Sequence, residues 1–227
     1  MTPDERRAMR DVLRSALQRA VLPGATPHPP GGYARVDPMP ADLTARFTTE
    51  LTTLGGTVTE LPHATASAVA ATIALLAGAD KRAPMLMWDD RWLPVPGVAD
   101  ALVAEGFTIE RQRDADVDDA ARRARLATCN VGVTSADACL AETGSLVLVS
   151  GEGRGRLASL LPPVHIAIVD RSRMMRSLPD LLLSRPELAT AGSNLVCITG
   201  PSRTADIEHT LSRGVHGPRE VHVILVG

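Results

Sequence analysis

The sequence predicts an α/β fold, an open and largely parallel β-sheet with helices on both faces. Two observations predict it. Short apolar runs alternate along the chain with segments whose apolar residues recur at helical spacing, and such alternation is typical of parallel sheets covered on both sides. The chain has 227 residues, of which 44% are apolar, so it can bury the core of one large domain.

An N-terminal helix and an arm are predicted ahead of this domain. Thr2-Pro3 can start a helix, because Thr is a capping residue and Pro suits the first turn. Residues 22–40 are rich in Pro and Gly and predict a linker or an ordered arm. We therefore expect residues 1–40 to form the helix and arm and residues 41–227 to form the α/β domain.

The elements of the domain follow from hydrophobic periodicity. Helical spacing predicts helices at residues 43–54, 65–79, 98–105, 118–127, 178–183 and 204–211. Short apolar runs predict strands at residues 57–61, 84–88, 107–110, 130–134, 146–149, 165–169, 195–199 and 221–226. A further short helix is predicted at residues 135–140, with Ser135 as its cap and Asp137 near its positive end. Ligands of such sheets bind beyond the carboxyl ends of the strands.

Charge and hydropathy limit the classes of function that the chain can have. Lys and Arg total 24 while Asp and Glu total 26, so the net charge of −2 gives no basis for binding nucleic acid or an anionic membrane. No apolar run reaches the ~18 residues that suggest a membrane span. The N-terminus is charged and lacks the apolar core of a signal peptide. We therefore expect a cytoplasmic protein.

The cysteines do not predict a cofactor. Cys129, Cys139 and Cys197 are isolated, without a CxxC pair, a zinc pattern or iron–sulfur spacing. Each is interpreted as a small apolar residue of the interior. The glycine-rich segment at residues 151–156 is not a complete dinucleotide loop, because Arg156 occupies the last glycine position of GxGxxG. No cofactor is therefore expected in this chain.

Glu142 stands among small residues just before an apolar run. A carboxylate at the start of a buried strand is expected to be partly buried and to need compensation. Gly144 allows the backbone to approach a neighbour closely. Two interpretations remain open: Glu142 is a nucleophile or an acid–base group, or it pairs with Arg154 or Arg156.

Three glycines, Gly151, Gly153 and Gly155, alternate with Arg154 and Arg156 at the other end of that run. Such glycines can present backbone N–H groups as an anion nest. Guanidinium groups bind carboxylates and phosphates through paired hydrogen bonds. The segment therefore predicts an anion site, and an ordinary flexible loop is the alternative.

A second candidate site follows the strand at residues 195–199. Ser202 or Thr204 can cap the helix predicted there, whose free N–H groups favour an anion. Arg203 would add positive charge, and Asp206 would oppose it unless the two residues pair. A well-capped surface helix is the alternative interpretation. His216 follows in a glycine-rich turn that can present its imidazole.

These segments together resemble the LUD-domain family, whose namesake is lactate utilization protein C. The resemblance covers residues 130–227. It rests on five blocks in a fixed order, Thr134-Ser135-Ala136-Asp137, Ala141-Glu142-Thr143-Gly144-Ser145, Leu161-Pro162-Pro163-Val164-His165-Ile166, residues 200–208 and residues 214–218. It implies a fold like that of the sugar-phosphate isomerase and CoA-transferase group.

The resemblance also implies a place in a three-part system that oxidises L-lactate to pyruvate, in which two partner proteins carry the iron–sulfur clusters. This chain is then the cluster-free component, which binds a small carboxylate or phosphate, its partners, or both. In that role Arg154, Arg156 or Arg203 holds the carboxylate, and Glu142 or His216 handles the hydroxyl proton. The residues expected to complete the anion site are Ser135, Asp137, Thr143, Gly144, Ser202, Thr204 and Asp206.

Two other functions stay open. Some CoA transferases use a Glu followed by Asn-Gly as nucleophile, and Glu142-Thr143-Gly144 resembles that pattern with Thr in place of Asn. The chain is then a stand-alone enzyme of the CoA-transferase or sugar-phosphate-isomerase type; otherwise it is a pure assembly module. We expect the polar loops at residues 137–143, 151–156, 200–208 and 214–218 to converge on one anion pocket above the sheet edge.

Overall fold

The computed structural model describes residues 3–19, 41–78, 83–112, 119–205, 211–214 and 216–227. The chain separates into two units, residues 1–36 and residues 37–227. The first unit contains α1 (Pro3–Arg19), so the N-terminal helix predicted from the sequence is present. The predicted arm at residues 22–40 lies outside the described residues. No helix in the described part of the chain is both long and apolar enough to cross a membrane.

A parallel sheet of six strands forms the centre of the second unit. The strands are β1 (Thr57–Leu61), β2 (Met85–Met87), β3 (Ile109–Glu110), β4 (Val131–Thr134), β7 (Val164–Asp170) and β12 (Glu220–Val226). They lie side by side in the order β1-β12-β7-β4-β2-β3, and every neighbouring pair is parallel. β4, β7 and β12 are buried over most of their length, as expected for the interior strands of a parallel sheet. The predicted α/β class is confirmed.

Most helices of this unit begin where the sequence provides a cap. They are α2 (Leu43–Thr53), α3 (Ala66–Ala77), α4 (Val98–Ala104), α5 (Ala120–Leu126), α6 (Leu157–Leu160) and α7 (Leu178–Ser184). The side chains that accept hydrogen bonds from first-turn N–H groups belong to Asp42, Thr65, Asp119 and Ser177. Only α6, a helix of four residues, had no counterpart in the prediction.

A second sheet, which the sequence did not predict, packs beside the first. It comprises β5 (Ala138–Leu140), β6 (Ser145–Ser150), β8 (Met174–Met175) and β9 (Asn194–Ile198), in the order β8-β5-β6-β9. The helix predicted at residues 135–140 is therefore wrong. Its second half is the strand β5, which pairs with β6 on one side and β8 on the other. Ser135 and Asp137 consequently do not cap a helix.

The prediction of a helix at residues 204–211 is also wrong at both ends of that range, which the structure describes as strands. β10 (Arg203–Ala205) and β11 (Leu211–Arg213) pair as an antiparallel hairpin. The backbone of Ser202 closes this hairpin, because its N–H donates to the Pro218 carbonyl at 2.8 Å and its carbonyl accepts from Gly214 at 3.1 Å. Asp206 lies outside the described residues. The helix N-terminus that was expected to hold an anion near Thr204 is thus absent from the described residues.

β6 joins the two hydrophobic cores of the unit. Leu146 and Leu148 belong to the main core around the parallel sheet, whereas Val147 and Val149 belong to a smaller core that includes Leu181 of α7. Successive side chains of a strand point to opposite faces. The uninterrupted apolar run of β6 follows from burial on both of its faces.

Candidate functional site

Residues 151–156, here called the glycine loop, connect the end of β6 to α6. Gly151 and Arg154 exchange two backbone hydrogen bonds of 3.2 and 3.1 Å, and the Asp89 N–H donates to the Gly153 carbonyl at 2.8 Å. Gly153 has a φ of +71°, and a Cβ atom added there would lie 2.4 Å from Asp89 Oδ2. The loop therefore requires glycine here for both its conformation and its close approach to the chain beyond β2.

Two tryptophans hold the glycine loop by its carbonyl groups. Trp88 Nε1 donates to the Gly155 carbonyl at 3.0 Å, and Trp92 Nε1 donates to the Glu152 carbonyl at 2.9 Å. With the backbone bonds already described, every carbonyl from Gly151 to Gly155 accepts a hydrogen bond from the protein. The carbonyl dipoles of the loop are thus directed into the protein.

Most N–H groups of the glycine loop, unlike its carbonyl groups, have no hydrogen-bond partner among the described residues. Those of Gly151 and Arg154 donate within the loop. The N–H groups that have no partner among the described residues belong to Glu152, Gly153, Gly155 and Arg156. A loop with bound carbonyls and available N–H groups has the arrangement of an anion nest. The spacing of the glycines predicted such a nest, and its binding of an anion stays a prediction.

A buried ion pair attaches the glycine loop to the second sheet. Arg154 Nη1 donates to Asp137 Oδ1 at 3.1 Å, and the two side chains are only 9% and 12% exposed. Asp137 Oδ2 also accepts from the Val149 N–H at 2.8 Å. The Arg154 guanidinium lies 4.0 Å from the centre of the Trp92 ring. Of the two arginines that were open as partners of Glu142, Arg154 pairs with Asp137 instead.

A cavity of about 440 Å³ opens beside the glycine loop. Its lining residues are Gln112, Ser150, Gly151, Glu152, Gly155, Arg156, Ser193 and Asn194. Arg156 is exposed, and its guanidinium has no ion-pair partner in the described part of the chain. Three of the four residues with available N–H groups also belong to the lining. The cavity therefore combines the nest with one uncommitted positive charge.

The other charged lining residue, Glu152, has a cation close to it. Glu152 Oε1 lies 3.3 Å from Arg91 Nη2, and the Glu152 side chain is 87% exposed. Gln112 Oε1 accepts from the Leu157 N–H at 3.0 Å, which uses its acceptor and leaves its amide donors for other partners. The Arg91 contact reduces the negative charge that Glu152 presents to the cavity. The amide donors of Gln112 favour a ligand that accepts hydrogen bonds.

Glu142, Thr143 and Gly144 lie in the turn before β6, at the opposite end of this strand from the glycine loop. A strand of this length spans roughly 20 Å. Glu142 is half-buried as expected, and its N–H donates to the Arg176 carbonyl at 2.9 Å. Its carboxylate has no partner within the described residues. Glu142 is therefore separated from the cavity by the length of β6.

Three other predicted residues, Thr143, Gly144 and Arg203, lie with Glu142 rather than with the glycine loop. The hydroxyl groups of Thr143, Ser145 and Thr199 form a chain with two oxygen–oxygen distances of 2.7 Å. Arg203 donates to the Leu54 carbonyl at the end of α2 and thereby caps that helix. A Cβ atom added at Gly144 would lie 2.4 Å from the backbone nitrogen at position 51 of α2.

The prediction that the four polar loops converge on one pocket is therefore wrong. Ser202 and the turn that contains His216 and Pro218 belong to the group near α2, since Ser202 is bonded to Pro218. His216 itself is exposed. Asp137 and the glycine loop form the other group. Only the second group adjoins the cavity, and we take it as the candidate site.

The model of the LUD domain matches residues 45–226. The chain belongs to the LUD domain family. Lactate utilization protein C of Shouchella clausii is 34% identical over 145 residues, which are 63% of this chain and 62% of that protein. Its counterpart in Bacillus subtilis is 45% identical over 103 residues, 43% of this chain and 42% of that protein. The chain thus spans less than two thirds of the length of these relatives.

The fold of this LUD domain is also found in a solved structure. A crystal structure of a DUF162 family protein from Deinococcus radiodurans superimposes with a TM-score of 0.58, over 82% of this chain and 98% of that chain. The two sequences are 21% identical, so the likeness concerns the fold.

Sequence reasoning missed several residues of the site in this LUD domain. Trp88 and Trp92 hold the loop, and Gln112 and Asn194 line the cavity. The sequence position of Trp88, Trp92 and Gln112 could have indicated them, because they follow the carboxyl ends of β2 and β3, where ligands of parallel sheets bind. Asn194 starts β9, and its place beside Ser150 depends on strand pairing that the sequence does not display.

Two buried polar residues, His165 and Ser135, are enclosed by the protein interior. His165 Nε2 lies 2.9 Å from Thr134 Oγ1 inside the parallel sheet. Burial, with a smaller contribution from His222, lowers the pKa of His165 to about 3, so its imidazole stays neutral. Ser135 is fully buried, and its hydroxyl has no partner among the described residues. Neither residue lines the cavity.

The cysteines partly follow expectation. Cys129 and Cys139 are buried, and burial raises the pKa of their thiols to about 11 and about 12. Cys197 is exposed, contrary to its assignment to the interior. No group of three or more His, Cys, Asp or Glu side chains in the described ranges is arranged to hold a metal ion.

Proposed function

We propose that this chain is the cluster-free component of a lactate utilization system and that it binds a carboxylate at the glycine loop. The observation that carries the first half is the similarity to relatives named lactate utilization protein C, at 34% to 45% identity. The second half is supported by the available N–H groups of the loop and the uncommitted Arg156 beside the cavity.

Each part of the site has a distinct task in this proposal. Arg156 forms paired hydrogen bonds with the carboxylate. The N–H groups of Glu152 and Gly155 add further donors to the same anion. The Asp137–Arg154 ion pair and the two tryptophans keep the loop in place before the ligand arrives, which reduces the ordering entropy of binding.

Electrons are handled elsewhere in the proposed system. Oxidation of lactate to pyruvate releases two electrons and two protons for each molecule. Two partner proteins with iron–sulfur clusters accept the electrons, and this chain contributes carboxylate binding and contacts with those partners. The proposed carboxylate site uses neither Glu142, which precedes the other end of β6, nor His216.

Deletion of the gene tests the proposed function. We expect a strain that lacks this chain to fail to grow on L-lactate as sole carbon source and to grow normally on glucose. A plasmid copy of the gene should restore growth on lactate. Equal growth of the parent and the deletion strain on lactate would overturn the proposal, whereas a defect on both carbon sources would show a role outside lactate utilization.

A further inference from the structure

We infer that the ligand of the cavity beside the glycine loop is a polar monocarboxylate of sugar-acid size, not lactate itself. The inference rests on the carboxylate site in the proposed function and names the class of molecule that this site takes. Three properties of the cavity carry it: its volume, its charge and the chemistry of its lining.

The volume of the cavity exceeds what lactate fills. The cavity measures about 440 Å³. Lactate displaces about as much space as four water molecules, or roughly 120 Å³ at ~30 Å³ for each water. A lactate molecule held by Arg156 would thus leave most of the cavity to solvent. Pockets of this size usually enclose considerably larger ligands.

The charge of the cavity matches a single anionic group. Arg156 is the only lining residue with an uncommitted positive charge in the described part of the chain. Arg91 lies 3.3 Å from Glu152 and 3.8 Å from Asp89 and so partly offsets the Glu152 charge. The nearby Arg154 is offset by Asp137. A carboxylate balances one guanidinium, whereas a doubly charged phosphate ester would leave one negative charge to the nest alone. The geometry therefore favours one carboxylate.

The remaining lining groups are neutral and polar. Hydroxyl and amide side chains are supplied by Ser150, Ser193, Asn194 and Gln112, and none of the eight lining residues has an apolar side chain. These side chains offer hydrogen bonds to the hydroxyl groups of a ligand. The part of the ligand beyond its carboxylate is therefore hydroxylated.

Calorimetric titration of the full chain tests this inference with four probes, D-gluconate, L-lactate, D-glucose and D-glucose 6-phosphate. We expect D-gluconate to bind at least tenfold more tightly than L-lactate, because several additional hydrogen bonds form. D-glucose should bind at least tenfold more weakly than D-gluconate, because it lacks the carboxylate. D-glucose 6-phosphate should also bind more weakly than D-gluconate.

Two variants and a control assign the binding to the cavity. Arg156→Ala removes the cation, and Asn194→Asp adds a negative charge to the lining with almost no change in shape; both should weaken D-gluconate binding at least tenfold. Arg219→Ala removes an exposed arginine outside the cavity and should leave it unchanged. The inference is overturned if L-lactate or the phosphate ester binds as tightly as D-gluconate, if no probe binds, or if Arg156→Ala has no effect. Tight binding of L-lactate or of the phosphate ester would overturn only the class of ligand. Failure of every probe to bind, or an unchanged affinity in Arg156→Ala, would also remove the carboxylate site from the proposed function. The place of the chain in lactate utilization is tested separately by growth of the deletion strain.

Discussion

Arg154 and Arg156 differ in role although the sequence alternates them with glycine in the same way. Arg154 is buried against Asp137 and Trp92, whereas Arg156 is exposed beside the cavity. The sequence predicted a loop with anion-binding chemistry. It could not predict which guanidinium is committed, because the partners of Arg154 lie in distant parts of the chain and meet it only in the folded state.

The buried ion pair should be important for stability. Asp137→Asn leaves the Arg154 guanidinium buried without a counter-charge, and we expect it to lower the free energy of unfolding by about 3 kcal/mol. Urea denaturation at pH 7 measures the change. The matched control is Glu60→Gln, which removes the exposed partner of Arg171 and should change stability by less than ~1 kcal/mol. Similar losses in the two variants would contradict the structural role of the buried pair.

His165 should make the protein sensitive to mild acid. Its native pKa is lowered to about 3, so between roughly pH 6.5 and that value the unfolded chain binds a proton that the native state does not. Stability therefore falls as pH falls, by about 2 kcal/mol between pH 7 and pH 5 for this residue alone. Denaturation curves at both pH values measure the free energy of unfolding. Between pH 7 and pH 5 it should fall by about 2 kcal/mol less in His165→Gln than in the wild type. An identical drop in the variant would show that His165 titrates normally.

At the scale of elements, hydrophobic periodicity predicted the helices and strands whose conformation follows from the local sequence. β1 was predicted with its observed bounds, Thr57–Leu61, and α2 lies where its apolar spacing placed it. β5 and the β10–β11 hairpin were predicted as helices. Their short runs of polar and apolar residues fit a helical turn locally, and the strand conformation is stabilised by partners far away in sequence, which periodicity does not reveal.

The contact between α6 and β4 depends on one glycine. Gly132 of β4 lies so close to α6 that an added Cβ atom would be 1.7 Å from the Ala158 carbonyl oxygen. We expect Gly132→Ala to push α6 away from the sheet and to lower the free energy of unfolding by about 3 kcal/mol.

A second glycine provides the control for this substitution. Gly106 has a φ of +93°, and an added Cβ would meet no atom within 4 Å among the described residues. Gly106→Ala therefore tests backbone strain alone, which should lower the free energy of unfolding by about 1 kcal/mol. Thermal or urea unfolding of both variants measures the difference. Equal destabilisation would mean that α6 does not pack as tightly as the structure shows.

At the scale of the whole molecule, the division into two sheets decides where the polar loops lie. The sequence predicted the parallel sheet and its α/β class. It did not predict that β5, β6, β8 and β9 form a separate sheet, because the apolar run of β6 is compatible with either sheet. β6 has one predicted site at each end, so the length of this strand separates Glu142 from the glycine loop and rules out the single pocket.

We expect the functional anion site to lie at the glycine loop and not at Glu142. The most direct measurement is the growth rate on L-lactate of the deletion strain carrying either Arg156→Ala or Glu142→Gln, with protein levels matched by immunoblot. We predict that Glu142→Gln restores growth to the wild-type rate and that Arg156→Ala does not. Growth with Arg156→Ala together with failure of Glu142→Gln would contradict the claim and place the site at the other end of β6.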